Sequence, residues 1–273
     1  RTAGAAKNHA AGETSNAGVL EIGDNATTQG TTEGGEADFR LCSRILAIRP
    51  GVNLSFLGLE RLPEQNAGEL LVHGYSVVDS FCSAERAAEL PGAIRNSLES
   101  WLQAESGGGA DMPNCGNFEL PWSLPHPQGK RFDYIASLRA EHPAVAHEPL
   151  KSIVKAFDEL LGDLRNLSLI SGEAEMQLAW YPGGSKGYCR HTDAIPDDGS
   201  QPGLRRFTAI IYCNGEWNPE DGGQIRLWPP CLRGATVDVE PVAGRLLLFL
   251  SGCMPHEVLP NSRDRVALTL WVH

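Results

Sequence analysis

From Glu173 to the end, the chain reads as short apolar runs, among them RFTAIIYCNGEW, GGQIRLWP, VEPVAGRLLLFLS and RVALTLWV. They are broken by Gly183, Gly222-Gly223, Pro229-Pro230 and Gly244. Apolar and β-branched runs of strand length, bounded by Gly and Pro, are the pattern of strands and tight turns. Late strands closing on earlier ones give a double-stranded β-helix, the jelly-roll type of barrel. Just before them, Leu150, Ile153, Val154, Phe157, Leu160, Leu161 and Leu164 recur at i, i+3, i+4 and i+7, the stripe of a helix with one apolar face. Such a helix packs on the outside of a sheet and has no cofactor role. The expected fold class is therefore α+β dominated by β, a jelly-roll barrel buttressed by N-terminal helices.

Within the strand-rich half, YPGGSKGYCRHTD (Tyr181 to Asp193) carries the first sign of chemistry. Alternate residues of a strand share a face, so His191 and Asp193 point together into whatever the strand encloses. One imidazole and one carboxylate make two thirds of a facial metal triad, and His256 in PHEVLP is the best candidate for the third ligand. Two histidines and a carboxylate on one face leave the opposite face open, the arrangement of non-haem Fe(II) oxygenases. Cys189 falls on the same alternation as His191, and a thiolate there would make the site zinc-like instead; a small side chain inside a barrel needs no ligand role. Nine residues beyond His256, Arg265 opens the last strand-like run. A buried guanidinium calls for a carboxylate, which it binds in bidentate fashion, and a small dicarboxylate such as 2-oxoglutarate fits.

The blocks YPGGSKGYCRHTD, RFTAIIYCNGEW, GGQIRLWP, VEPVAGRLLLFLS, PHEVLP and RVALTLWV, in that order, resemble the catalytic core of the 2-oxoglutarate- and Fe(II)-dependent prolyl 4-hydroxylases of the hypoxia-inducible-factor type. Collagen-type prolyl hydroxylases are similar too but usually place lysine where this chain has Arg265, which favours the cytoplasmic, oxygen-sensing branch. The resemblance implies Fe(II) held by His191, Asp193 and His256. It implies 2-oxoglutarate clamped by Arg265 with the Tyr212 hydroxyl as a second donor, and Tyr181, Thr269, Ile225 and Ile210 around it. It also implies a proline pocket lined by Tyr188, Arg205 and Trp271, Trp271 having simple core packing as its plain alternative. Between Asp193 and Arg205 the stretch AIPDDGSQPGL is longer than the animal enzymes' equivalent, which leaves the protein substrate open.

The implied reaction is proline hydroxylation in a protein, with dioxygen consumed, 2-oxoglutarate decarboxylated to succinate and ascorbate as reductant. Relatives of this type act on the Skp adaptor of SCF ubiquitin ligases, on hypoxia-inducible factor or on elongation factor Tu. The low-complexity N-terminus and the Gly-rich loop favour the Skp adaptor. A lysyl or free amino-acid hydroxylase, and an inactive barrel kept as a binding module, are the alternatives.

Composition sets the remaining bounds. A net charge of −11 over 273 residues argues against a phosphate-backbone partner. No apolar run is long enough to span a membrane, and the opening residues show no secretory apolar stretch. Seven scattered cysteines without CxxC spacing read as free thiols in a reducing setting, the cytoplasm and with it the nucleus; a monomer is expected. Residues 1–38 hold almost no large apolar side chains and read as a disordered tail or linker. Residues 39–273 form one oxygenase domain, with helical and early-strand support over 39–172 and the barrel core over 173–273. Here a helix ends before a turn at Gly74 and a strand at Tyr75–Val78. Ser83 caps a helix that Pro91 is expected to kink or split. Glu105–Lys130 reads as a long loop, which the resemblance, by its place in the chain, implies folds over substrate, and Arg131–Leu138 reads as a strand.

Overall fold

The computed structural model describes residues 29–47, 51–106, 117–123, 131–168, 170 and 173–273. The elements are α1 (Gln29–Cys42), α2 (Glu64–His73), β1 (Tyr75–Val78), α3 (Ala84–Glu105), β2 (Trp122–Ser123), β3 (Tyr134–Leu138), α4 (Leu150–Leu167), β4 (Ala174–Tyr181), β5 (Tyr188–His191), β6 (Phe207–Tyr212), β7 (Ile225–Leu227), β8 (Val237–Val239), β9 (Leu246–Leu250), β10 (His256–Val258) and β11 (Arg265–Val272). The strands pair antiparallel into a seven-stranded sheet, β1-β9-β6-β11-β4-β3-β2, and a four-stranded sheet, β5-β10-β7-β8. Early and late strands interleave in the large sheet, as a jelly roll requires.

The large sheet is covered on both faces, so its central strands are apolar throughout instead of alternating with polar residues. One set of side chains, including Leu178, Trp180, Ala209, Ile211, Leu248, Val266 and Leu268, packs in one core with α2, α3 and α4. The alternate set, Ile210, Tyr212, Leu247, Phe249 and Ala267, faces inward towards Ile225 and Leu227 of the small sheet. The apolar stripe of α4 (Leu150, Ile153, Val154, Phe157, Leu160, Leu164) is buried in the first core, as the periodicity predicts.

Four boundaries differ from the sequence expectations. The tail is not wholly unstructured, because α1 begins at Gln29: Cys42 at its end is buried, and Phe39 lies against the Gly74 turn, where an added Cβ would come within 2.9 Å of its ring. The rest of the tail lies outside the described residues. Pro91 does not split α3, which runs unbroken from Ala84 to Glu105. A proline costs a helix about 3 kcal/mol, but Leu90, Ile94 and Leu98 bury on either side of it, each contributing about 1.5–3 kcal/mol. Within Glu105–Lys130, Phe118, Leu120 and Trp122 are buried and β2 pairs with β3, the Trp122 Nε1–H donating to Ser97 Oγ at 3.0 Å. This part is therefore anchored, and the remainder lies outside the described residues. The predicted strand from Arg131 starts only at Tyr134, Arg131 forming a lone bridge to Tyr188. Among the described residues no helix is long and apolar enough to cross a membrane.

Candidate functional site

A β-bulge organises the site. His191 of β5 stands opposite His256 of β10, but Tyr188 stands opposite Val258, so a three-residue step on one strand matches a two-residue step on the other. Regular alternation would put Cys189 beside His191. The extra residue instead brings Tyr188 onto the face of His191, with the rings stacked 3.9 Å apart, and leaves Cys189 exposed. Cys189 is thus outside the ligand cluster, and the zinc-like alternative falls. Gly187 permits this close crossing: its φ is +79°, and a Cβ there would sit 2.0 Å from the Val258 carbonyl oxygen.

His191 ends β5, Asp193 follows two residues later and His256 opens β10. One ligand atom of each lies within 4.8 Å of the others. His191 Nδ1 is 2.9 Å from the Cys189 carbonyl and His256 Nδ1 is 2.9 Å from the Met254 carbonyl. A carbonyl only accepts, so each Nδ1 carries the hydrogen and each Nε2 is left bare. These Nε2 atoms lie 3.6 and 3.8 Å from the two Asp193 oxygens. Burial alone would raise the Asp193 pKa. The positive charge that His256 would carry if protonated, a proton on the neighbouring His191, and the hydrogen bonds donated by Thr208 and Trp271 outweigh it and hold the carboxyl well below its usual range. Burial lowers the His256 pKa and so favours the neutral form that binds metal. Two imidazole nitrogens and a carboxylate converging on one point fit Fe(II).

Beside this point is a cavity of about 150 Å³ whose wall includes every expected site residue except Tyr212: His191, Asp193, His256, Arg265, Tyr181, Thr269, Ile225, Ile210, Tyr188, Arg205 and Trp271. Arg265 is 2% exposed, its Nε donating to the Gly223 carbonyl at 2.8 Å, and no carboxylate among the described residues pairs with it. A buried cation of this kind requires an anion. Tyr212 is fully buried behind the wall instead of on it, with the Arg265 guanidinium 5.3 Å from its ring centroid. Burial pushes its pKa up to about 12, so the hydroxyl keeps its proton, and no hydrogen bond of normal geometry reaches it among the described residues. An unneutralised guanidinium beside an orphaned hydroxyl suits the distal carboxylate of a 2-oxo dicarboxylate, and Ile210, Ile225 and Ala267 make the adjoining wall apolar.

The structure adds residues that sequence reasoning missed. Thr208 Oγ1 and Trp271 Nε1 donate to Asp193 Oδ2 at 2.7 and 3.0 Å, so Trp271 does more than wall a pocket. Arg131 grips the buried Asp133 through Nε and Nη2 at 2.7 and 2.5 Å, reaches Gln177 at 3.3 Å and lies over the Tyr188 ring at 5.1 Å. Alternation along β4 and β6 from Tyr181 and Ile210 would have flagged Gln177 and Thr208; Arg131 and Asp133 precede any strand and left no such signal. The stretch after Asp193 is tied down by the buried Asp197–Arg206 ion pair, Asp197 also accepting from the amides of Gly199 and Gln201.

Residues 176–273 match the model of the 2OG-Fe(II) oxygenase superfamily. The solved Pseudomonas putida prolyl-4-hydroxylase is 31% identical with a TM-score of 0.55, covering 77% of this chain and 97% of that one. A Trichoplax adhaerens prolyl hydroxylase, solved with a hypoxia-inducible-factor oxygen degradation domain peptide, is 26% identical with a TM-score of 0.55 over 81% of this chain and 93% of that one. Egl nine homolog 1 of Mus musculus is 29% identical over 205 residues, 73% of this chain and 46% of that protein; the chain spans about half the length of such curated relatives. With the triad and the Arg265 cavity, these likenesses establish that the chain belongs to the 2OG-Fe(II) oxygenase superfamily, whose members use Fe(II) and 2-oxoglutarate.

Proposed function

We propose that this oxygenase hydroxylates a prolyl residue of a protein substrate. The observation that carries the reading is the aromatic mouth: Tyr188, stacked on the ligand His191, and Trp271, bonded to the ligand Asp193, both stand on the cavity wall. A pyrrolidine ring has no donor of its own and packs well on such surfaces. The likeness to the Pseudomonas putida prolyl-4-hydroxylase supports the same reading.

Bound Fe(II) and 2-oxoglutarate supply the oxidising chemistry, consuming dioxygen and releasing succinate and carbon dioxide. The chain supplies position and dryness. His191, Asp193 and His256 would hold the metal. Arg265, with the Tyr212 hydroxyl behind it, holds the far carboxylate of the 2-oxo acid, and Thr269 and Tyr181 complete that end. Ile210, Ile225 and Ala267 keep water from it. Tyr188, Trp271 and Arg205 orient the substrate.

The test is tandem mass spectrometry of candidate proteins incubated with the chain, Fe(II), ascorbate, 2-oxoglutarate and air, with His191→Ala as control. The Skp adaptor comes first, then hypoxia-inducible factor and elongation factor Tu. One added oxygen on a proline, absent from the control, is the expected result. Oxygen found only on lysine or on a free amino acid overturns the prolyl reading and leaves the oxygenase. We place the reaction in the cytoplasm, in keeping with the six described cysteines, which are all free thiols.

A further inference from the structure

The two aromatic walls of the mouth are each backed by an arginine, and the two arginines are not in the same state. Arg131, over Tyr188, spends Nε and Nη2 on Asp133, which is 0% exposed, so that pair is closed to competitors. Arg205 lies flat on Trp271, its Cζ 3.8 Å from the ring centroid. It uses Nη2 alone, on Glu175 Oε2 at 2.8 Å, and its Nε and Nη1 have no partner among the described residues. Glu175 is half exposed, and an ion pair in such a place contributes little and exchanges readily. Its other oxygen, Oε1, lies 2.7 Å from His273 Nε2, so the carboxylate keeps a partner when Arg205 turns elsewhere.

We propose that Arg205 reads an acidic side chain next to the target proline, with Glu175 as its place-holder in the free protein. The inference rests on the prolyl reading above and names the class of segment that site selects. A guanidinium fork stacked on an aromatic face and half satisfied by an exchangeable carboxylate is a receptor for another carboxylate. Trp271 links that receptor directly to Asp193, so a segment anchored there lies beside the metal ligands. With Arg131 already bound, no equivalent cation faces an acidic segment across the mouth among the described residues.

The test uses three synthetic peptides of one length, each with a single proline flanked by Glu, Gln or Lys. Binding is measured by fluorescence anisotropy with Mn(II) and 2-oxoglutarate, and hydroxylation by mass spectrometry with Fe(II) in air. The parent chain binds the Glu peptide roughly fivefold to tenfold more tightly than the Gln peptide, the scale of one charge-assisted hydrogen bond net of the exchange. Glu175→Gln widens that preference by removing the competitor, and Arg205→Gln erases it. Equal binding of all three peptides, tighter binding of the Lys peptide, no binding of the Glu peptide, or a preference that survives Arg205→Gln overturns the proposal. Hydroxylation without the preference leaves the prolyl reading and removes this one. The preference without hydroxylation keeps Arg205 as an acid reader and removes the prolyl reaction.

Discussion

Trp271 donates its indole N–H to Asp193 at 3.0 Å, so a residue on the wall of the mouth also holds a metal ligand in place. Outer partners of this kind fix a ligand's orientation and typically matter tenfold or more to metal affinity. Trp271→Phe keeps most of the ring and removes the donor. Mn(II) affinity is expected to fall roughly tenfold, with the 2-oxoglutarate affinity at saturating metal unchanged. Mn(II) titration by electron paramagnetic resonance measures it; an affinity within twofold of the parent would refute the role.

Gly187 makes a second prediction, because the bulge rests on it. A Cβ at Gly187 would meet the Val258 carbonyl at 2.0 Å, on a backbone with φ +79°. Gly187→Ala is expected to destabilise the fold by about 2–4 kcal/mol and to weaken metal binding, since Tyr188 and His191 share the displaced strand. Gly92, exposed in α3 with nothing within 4 Å of its Cβ position, is the control. Gly92→Ala is expected to stabilise by about 0.5–1 kcal/mol. Denaturant melts of the two variants decide it, and equal midpoints for both contradict the account.

The contrast between these two sites shows what the sequence carries. The His191–Asp193 pair was legible because HxD is a local spacing, whereas His256, Arg265 and Trp271 were legible through the ordered strand blocks, and β11 alternates without interruption, placing Arg265 and Trp271 on the inner face. Cys189 was misplaced for the opposite reason: the bulge is set by pairing with β10, some 65 residues away, and nothing near Cys189 encodes it. Arg131–Asp133 and Glu175–Arg205 likewise depend on chain crossings that only the assembled sheet makes. Helix α1 hides in a polar segment; among its described residues the last turns meet the core through Phe39 and Cys42.

The two ligand histidines differ in burial, and their variants are expected to differ in stability. His191→Ala and His256→Ala both abolish metal binding and succinate release. His191 is partly exposed, so its truncation leaves the melting temperature nearly unchanged. His256 is 4% exposed and packs against the Phe249 ring at 4.9 Å, so its truncation opens a cavity and costs about 1–3 kcal/mol. Calorimetry with Mn(II) titration separates the effects; succinate release by either variant at the parent rate would remove the triad assignment.

Arg265 carries the sharpest distinction between cosubstrate and metal. It is buried, without a carboxylate partner among the described residues, and lies beside the orphaned Tyr212 hydroxyl. Two charge-assisted hydrogen bonds to one carboxylate at about 1.5 kcal/mol each correspond to a loss on the order of a hundredfold when both go. Arg265→Ala is expected to weaken 2-oxoglutarate binding by that factor while leaving Mn(II) affinity close to the parent's. Arg265→Lys restores the charge without the fork and is expected to recover only part of it. Tyr212→Phe removes the second donor and is expected to cost a smaller factor, about tenfold. Isothermal titration of 2-oxoglutarate into the Mn(II)-loaded protein measures all three, and equal losses of metal and 2-oxoglutarate affinity in Arg265→Ala would make the residue structural instead.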